Sequence, residues 1–134
     1  MKKIVLLFSL LFVLNACSVE DPQKYHYEIL PVESVIIPSE FTLGETYPIT
    51  MKYYKPSNCY SPYGIYYDKD LNTRTCAVRN LVDESGNCAP IDAVLVEETF
   101  NFFVTSNGSY IFKFWHGKNQ NGEDVFLEYE IPVN

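Results

Sequence analysis

Basic residues are scarce: 10 Lys and Arg stand against 17 Asp and Glu, for a formal net charge of −7. Phosphate backbones are held by clustered Lys and Arg, so this balance argues against a nucleic-acid partner. Histidine is scarcer still, with His26 and His116 in separate segments, and no two cysteines have the C-x-x-C spacing. Zinc needs such ligands grouped, and no metal or other cofactor is expected. A G-x-S-x-G elbow, a glycine-rich phosphate loop and a plausible Cys-His pair are also missing, so the chain is not expected to be an enzyme. No apolar run reaches the roughly 20 residues of a membrane-spanning helix, and no long stretch has helical spacing with a cap.

What the chain has is apolar and aromatic substance. Hydrophobic residues make up 47% and aromatics 16% of its 134 residues, far from the composition of a disordered segment and enough for the core of one small domain. The first residues carry an address. Met1-Lys2-Lys3 is followed by an apolar run from Ile4 to Leu14, broken only by Ser9, and then by Asn15-Ala16-Cys17-Ser18. A basic start, an apolar stretch of roughly 16 Å as a helix and a small residue before the cut make a secretory signal peptide.

Leu14-Asn15-Ala16-Cys17 resembles the lipobox of bacterial lipoproteins. The resemblance implies a leader over 1–16 that is cut before Cys17 and a diacylglycerol on the Cys17 thiol. Asn15 is less usual at its place than Ser, Thr or Ala. Stable anchoring takes two or more acyl chains, each buried CH₂ contributing about 0.8 kcal/mol. Ser18 directly after the cysteine looks like a signal for the outer membrane. Glu20-Asp21 is similar to the short acidic stretch of surface-exported lipoproteins in the Bacteroidota, although a charged tether after an anchor reads the same way. The expected location is the outer membrane, on its periplasmic or surface-exposed side. Loss of Lys2 and Lys3 with the leader takes the net charge from −7 to −9.

Residues 17–24 read as a lipidated tether and 25–134 as a single domain. Period-two alternation, the mark of half-buried strands, runs through Tyr47, Ile49, Met51 and Tyr53, through Thr73 to Val82, and through Val125, Leu127, Tyr129, Ile131 and Val133. Tyr110, Phe112 and Phe114 share one face of a strand while Ile111, Lys113 and Trp115 share the other. Glu98 interrupts the apolar parity of Val94 to Val104, a conflict that a bulge would resolve. Pro38 ends a first run, Glu33 to Ile37, and turn signals follow at Asp83 to Asn87, Asn107-Gly108 and Asn119 to Gly122. About seven short strands with such turns indicate an all-β fold, an antiparallel immunoglobulin-like β-sandwich. Gly108-Ser109-Tyr110 resembles the tyrosine corner of these sandwiches, in which the Tyr hydroxyl bonds to nearby backbone. The runs from Phe41 to Tyr47 and Gly108 to Trp115 also look like segments of small Flavobacterium-type lipoproteins, a resemblance that carries no activity with it.

Apart from Cys17, Cys59, Cys76 and Cys88 form an odd set in a compartment that permits disulfides, and three pairings are open. Cys59 and Cys88 sit in turn-rich stretches whereas Cys76 lies inside an alternating strand, which favours Cys59–Cys88 and leaves Cys76 a small buried hydrophobe. Asp68-x-Asp70-x-Asn72 begins like a calcium loop but has Thr73 at the glycine position and Arg79 at that of the bidentate Glu, so a hairpin turn is the plainer reading. Glu97-Glu98 and Glu123-Asp124 are neighbours that strand geometry points to opposite faces, which suits solvated charge better than acid–base catalysis.

The segment from Tyr53 to Tyr67 holds six tyrosines in fifteen residues with Ser, Asn, Gly and Pro between them. That is the composition of a binding loop, where Tyr supplies rigid amphipathic area and the small residues adapt their hydrogen bonds. Tyr53 is in phase with the core, but Tyr60, Tyr63 and Tyr66 are the candidate binding residues, for a glycan or a protein. The expected function is an outer-membrane or cell-surface lipoprotein serving as a binding or structural module, or a glycan- or protein-recognition subunit using this loop. A small envelope enzyme or inhibitor without a recognisable motif is the alternative from another class.

Overall fold

The computed structural model describes Pro22 and residues 24–134. The leader expected over 1–16, the lipid attachment at Cys17 and most of the tether lie outside the described residues. Among those described there is no helix, and eight strands follow in order: β1 Tyr25–Leu30, β2 Val32–Ile36, β3 Thr46–Tyr54, β4 Tyr60–Asp70, β5 Thr73–Asp83, β6 Leu95–Phe103, β7 Tyr110–Lys118 and β8 Asp124–Ile131.

They form two sheets. The smaller has the order β2-β3-β6. In the larger, β5 is central: β4 pairs along one side of it, while β1 and β7 share the other and β8 follows β7. Pro31 separates β1 from β2, and there the chain changes sheets. With no N–H to donate, proline cannot continue a ladder, so the break falls where pairing moves from β5 to β3.

Three expectations need correction. Eight strands are present where about seven are expected, and two of them, Tyr25–Leu30 and Tyr60–Asp70, lie outside the alternating runs. The sandwich is not wholly antiparallel: β5 and β7 pair in parallel, since the chain leaves the larger sheet after β5, runs through β6 in the smaller one, and returns. Glu98 lies in unbroken register opposite Met51, so no bulge turns it out. It remains half-buried on the inward parity, tolerated because β6 is an edge strand.

The alternating positions meet between the sheets. Phe102 of β6 packs at right angles on Tyr110 and Phe112 of β7, with ring centres 4.9 and 5.0 Å apart. Phe41, fully buried, touches the rings of Tyr47, Phe102, Tyr110 and Phe112. Burial of each such ring contributes a few kcal/mol, as large-to-small losses of about 3–5 kcal/mol for Phe→Ala indicate. The Tyr110 hydroxyl accepts hydrogen bonds from the backbone N–H of Thr105 (3.2 Å) and Ser106 (2.9 Å), fastening the turn before β7. His116 Nδ1 donates to the Val32 carbonyl at 2.5 Å and ties β7 to β2. The core has a polar flaw: the Asn80 amide lies beside the Tyr53 hydroxyl, both wholly buried, yet neither completes a hydrogen bond.

Cys59 and Cys88 are joined, with Cα atoms 5.4 Å apart. The bond links the start of β4 to the long connection after β5, where Asn58 and Ala89 also exchange hydrogen bonds. Cys76 is free and buried, and burial pushes its thiol up to about 12.

Candidate functional site: an aromatic outer face

The tyrosine-rich segment is not a loop. From Tyr60 onward it is β4, an edge strand paired with β5, and only residues 55–59 connect it to β3. Tyr is a strong strand former, and Ser and Gly do not break a ladder that a partner completes. The register then sorts the three candidate tyrosines. Tyr60 lies opposite Val82 on the inward side, half-buried, with its hydroxyl donating to Glu28 Oε2 at 2.9 Å. Burial first, and Glu28 second, raise its pKa. Tyr63 and Tyr66 face outward, 46% and 45% exposed. Tyr60 is therefore separated from the other two.

Alternation by itself puts Tyr60 and Tyr63 on opposite faces, and a bulge then brings Tyr66 to the side of Tyr63. Pro62 pairs with Asn80 and Ile65 with Val78, leaving Tyr63 and Gly64 against Arg79 alone. Gly64 takes φ +74°, a left-handed conformation costly for other residues. Tyr63 and Tyr66, three residues apart, thereby share the outer face of the larger sheet, where the Tyr63 ring centre is 5.0 Å from that of Tyr27 and the Arg79 guanidinium stands 5.6 Å above it. The neighbouring Tyr63 hydroxyl raises the Tyr27 pKa, against a smaller lowering by Arg79.

Further along the same face is a groove of about 400 Å³. Tyr66, Ile29, Trp115 and Phe126 form its apolar walls, from β4, β1, β7 and β8 in turn, and Ala77 and Thr75 of β5 lie at its floor. Ala77 is on the outward parity but only 3% exposed, so these larger side chains cover it. The polar end is Asp124, whose Oδ1 accepts from Trp115 Nε1 at 3.0 Å and from Lys118 Nζ at 3.0 Å. Those bonds, that from Trp115 foremost, hold the Asp124 carboxyl below the usual range. The Trp115 ring is thus fixed by its own N–H. Lys113 lies 4.7 Å above the Phe126 ring, extending the face towards β8.

Such a face offers flat rings, an ionised carboxylate and an ammonium within one concavity, the mixture expected of a small-ligand or glycan site. Reading along the sequence singled out Tyr63 and Tyr66, but missed Tyr27, Ile29, Arg79, Trp115 and Phe126. The available signal was the strand from Tyr110 to His116, whose two parities are both rich in apolar residues. One apolar parity makes the core, and a second must be covered or used. The Asp68-to-Asn72 stretch closes the β4–β5 hairpin, with Leu71 at φ 52°. Glu97 pairs with Lys52 at 3.1 Å on the far side of the smaller sheet from the core. Comparison with protein-family models, with curated proteins and with solved structures finds no match.

Proposed function

We propose that the chain is an outer-membrane lipoprotein, held by acyl chains on Cys17, whose immunoglobulin-like domain binds a glycan on the outer aromatic face of its larger sheet. The leader and its lipobox support the anchor. The Tyr110 hydroxyl bonded to Thr105 and Ser106, and the change of sheet at Pro31, support the immunoglobulin-like reading; the parallel β5–β7 pair departs from the usual order. Binding rests on one observation: Tyr66, Trp115 and Phe126 enclose a groove that ends on Asp124 and Lys118. Sugar rings present C–H faces that stack on aromatics and hydroxyls that bridge a carboxylate and an ammonium. A protein partner is the second reading, favoured by the Tyr27, Tyr63 and Arg79 stack at the other end, since Tyr and Arg dominate interface hot spots.

The chain's one tryptophan lies in this groove, so its fluorescence reports occupancy directly. Titration with muropeptides and a panel of soluble polysaccharides is expected to shift the emission for at least one glycan, and Tyr66→Ala to weaken that binding tenfold or more with unchanged melting temperature. No response to any glycan, or a response that Tyr66→Ala leaves intact, defeats the glycan reading. Palmitate incorporation that persists in Cys17→Ser defeats the anchor, and a domain untouched by protease on intact cells counts against surface exposure.

A further inference from the structure

A second cleft lies at the side of the sandwich where the edge strands β4 and β6 face one another without pairing. Its volume is about 470 Å³, within the roughly 300–1,000 Å³ of small-molecule sites. Phe100, Phe102 and Phe103 of β6 wall one side, and Ile65 and Tyr67 of β4 the other. The charges that line it are both positive, Lys69 and Arg74, in a chain of net charge −7.

Arg74 is only 3% exposed. Its Nη1 donates to the carbonyls of Leu71 (2.6 Å) and Thr73 (3.0 Å), and the guanidinium sits 5.1 Å from the Tyr110 ring centre and 5.7 Å from that of Phe102. Its Nε is buried without a partner. Among the described residues Arg74 has no ion pair. Burial of a charge without a counter-charge costs several kcal/mol, and two backbone carbonyls, two ring faces and the neighbouring Tyr67 hydroxyl offset that only in part. Lys69 aggravates the cost, because it is the direct cross-strand partner of Arg74, and like charges placed so repel. The acids on either side, Asp68 and Asp70, are opposite Thr75 and Thr73 and so belong to the other face of the sheet.

We infer that the cleft between β4 and β6 is a second binding site, for a small amphiphile whose apolar body lies on Phe100, Phe102 and Phe103 and whose terminal carboxylate reaches Arg74 and Lys69. A carboxylate matches the planar guanidinium and supplies the acceptor its buried Nε–H lacks. Tyr67 stands at the junction: burial raises its phenol while the adjacent Arg74 charge pulls it back, as expected of a hydroxyl beside the cation. The site is separate from the outer aromatic face, so either can fail without the other.

Decanoate and decanol, below their aggregation limits, are suitable probes because they share a chain and differ in the head. Isothermal titration is expected to give decanoate at least tenfold tighter than decanol, with Lys69→Gln, at an exposed position, weakening decanoate alone. In ¹⁵N-labelled wild-type protein the Arg74 Nε–H resonance is expected to shift with decanoate. Arg74→Met is expected to equalise the two probes; if it does not fold, the Lys69→Gln titration and the wild-type resonance decide. Equal affinities, or decanoate binding that changes Trp115 fluorescence without moving Arg74 Nε–H, overturns the inference. A dimer through this cleft that decanoate does not dissociate overturns it as well.

Discussion

Removal of the disulfide is the perturbation whose size follows most directly from the structure. Cys59 and Cys88 are 29 residues apart, and closing a loop of that length in the unfolded chain removes about 12 cal/mol/K, or about 3.6 kcal/mol at 25 °C. The Cys59→Ala/Cys88→Ala protein should keep the native geometry locally, because Asn58 N–H still donates to Ala89 O and Ala89 N–H to Asn58 Oδ1, at 3.1 and 3.0 Å. The loss therefore falls on the unfolded state. In urea the midpoint is expected to drop by roughly 1–4 M, for m values of 1–3 kcal/mol/M. Against a typical domain stability of about 5–15 kcal/mol, the variant is weakened rather than unfolded. A loss under about 1 kcal/mol with unchanged m would refute the reasoning, since the bond would then not be restricting the unfolded chain.

Tyr110→Phe deprives the N–H groups of Thr105 and Ser106 of their acceptor and is expected to cost roughly 1–3 kcal/mol, read as a lower melting temperature. Cys76 is buried with its thiol pushed up to about 12, so iodoacetamide at neutral pH should label it at the rate of unfolding; fast labelling of folded protein would contradict its burial. Glu28 and then Glu84 raise the His26 pKa above 6.5. A raised folded value means that the stability His26 contributes is complete below about pH 6.5 and fades as pH rises through the folded value. The melting temperature of wild type relative to His26→Gln should fall over that rise, and a flat difference would remove the claim.

Strands were legible where one parity was apolar and the other was not. Thr73 to Val82 and the run through Tyr47, Ile49, Met51 and Tyr53 are such cases, and both are strands of nearly those bounds. Tyr25–Leu30 escaped because its outward parity, Tyr25, Tyr27 and Ile29, is the more apolar one. The Tyr-rich segment misled for a related reason: Ser, Pro and Gly look like loop residues until β5 supplies a ladder and Gly64 a bulge. The disulfide followed from keeping bonds out of strand interiors, a local rule that holds here.

By itself, the amino-acid sequence determined the strand periodicity, the acidic surface, the aromatic core and the cysteine left without a partner, because each depends on residue type and spacing along the chain. Only the tertiary structure decided which tyrosines share a face. It also set Trp115 and Phe126 beside Tyr66, and Lys69 opposite Arg74 in a cleft without acids. Those neighbours come from different strands, and their meeting depends on register and on the parallel β5–β7 crossover. Alternation says that a residue points to one face or the other, but not which residues of other strands meet it there.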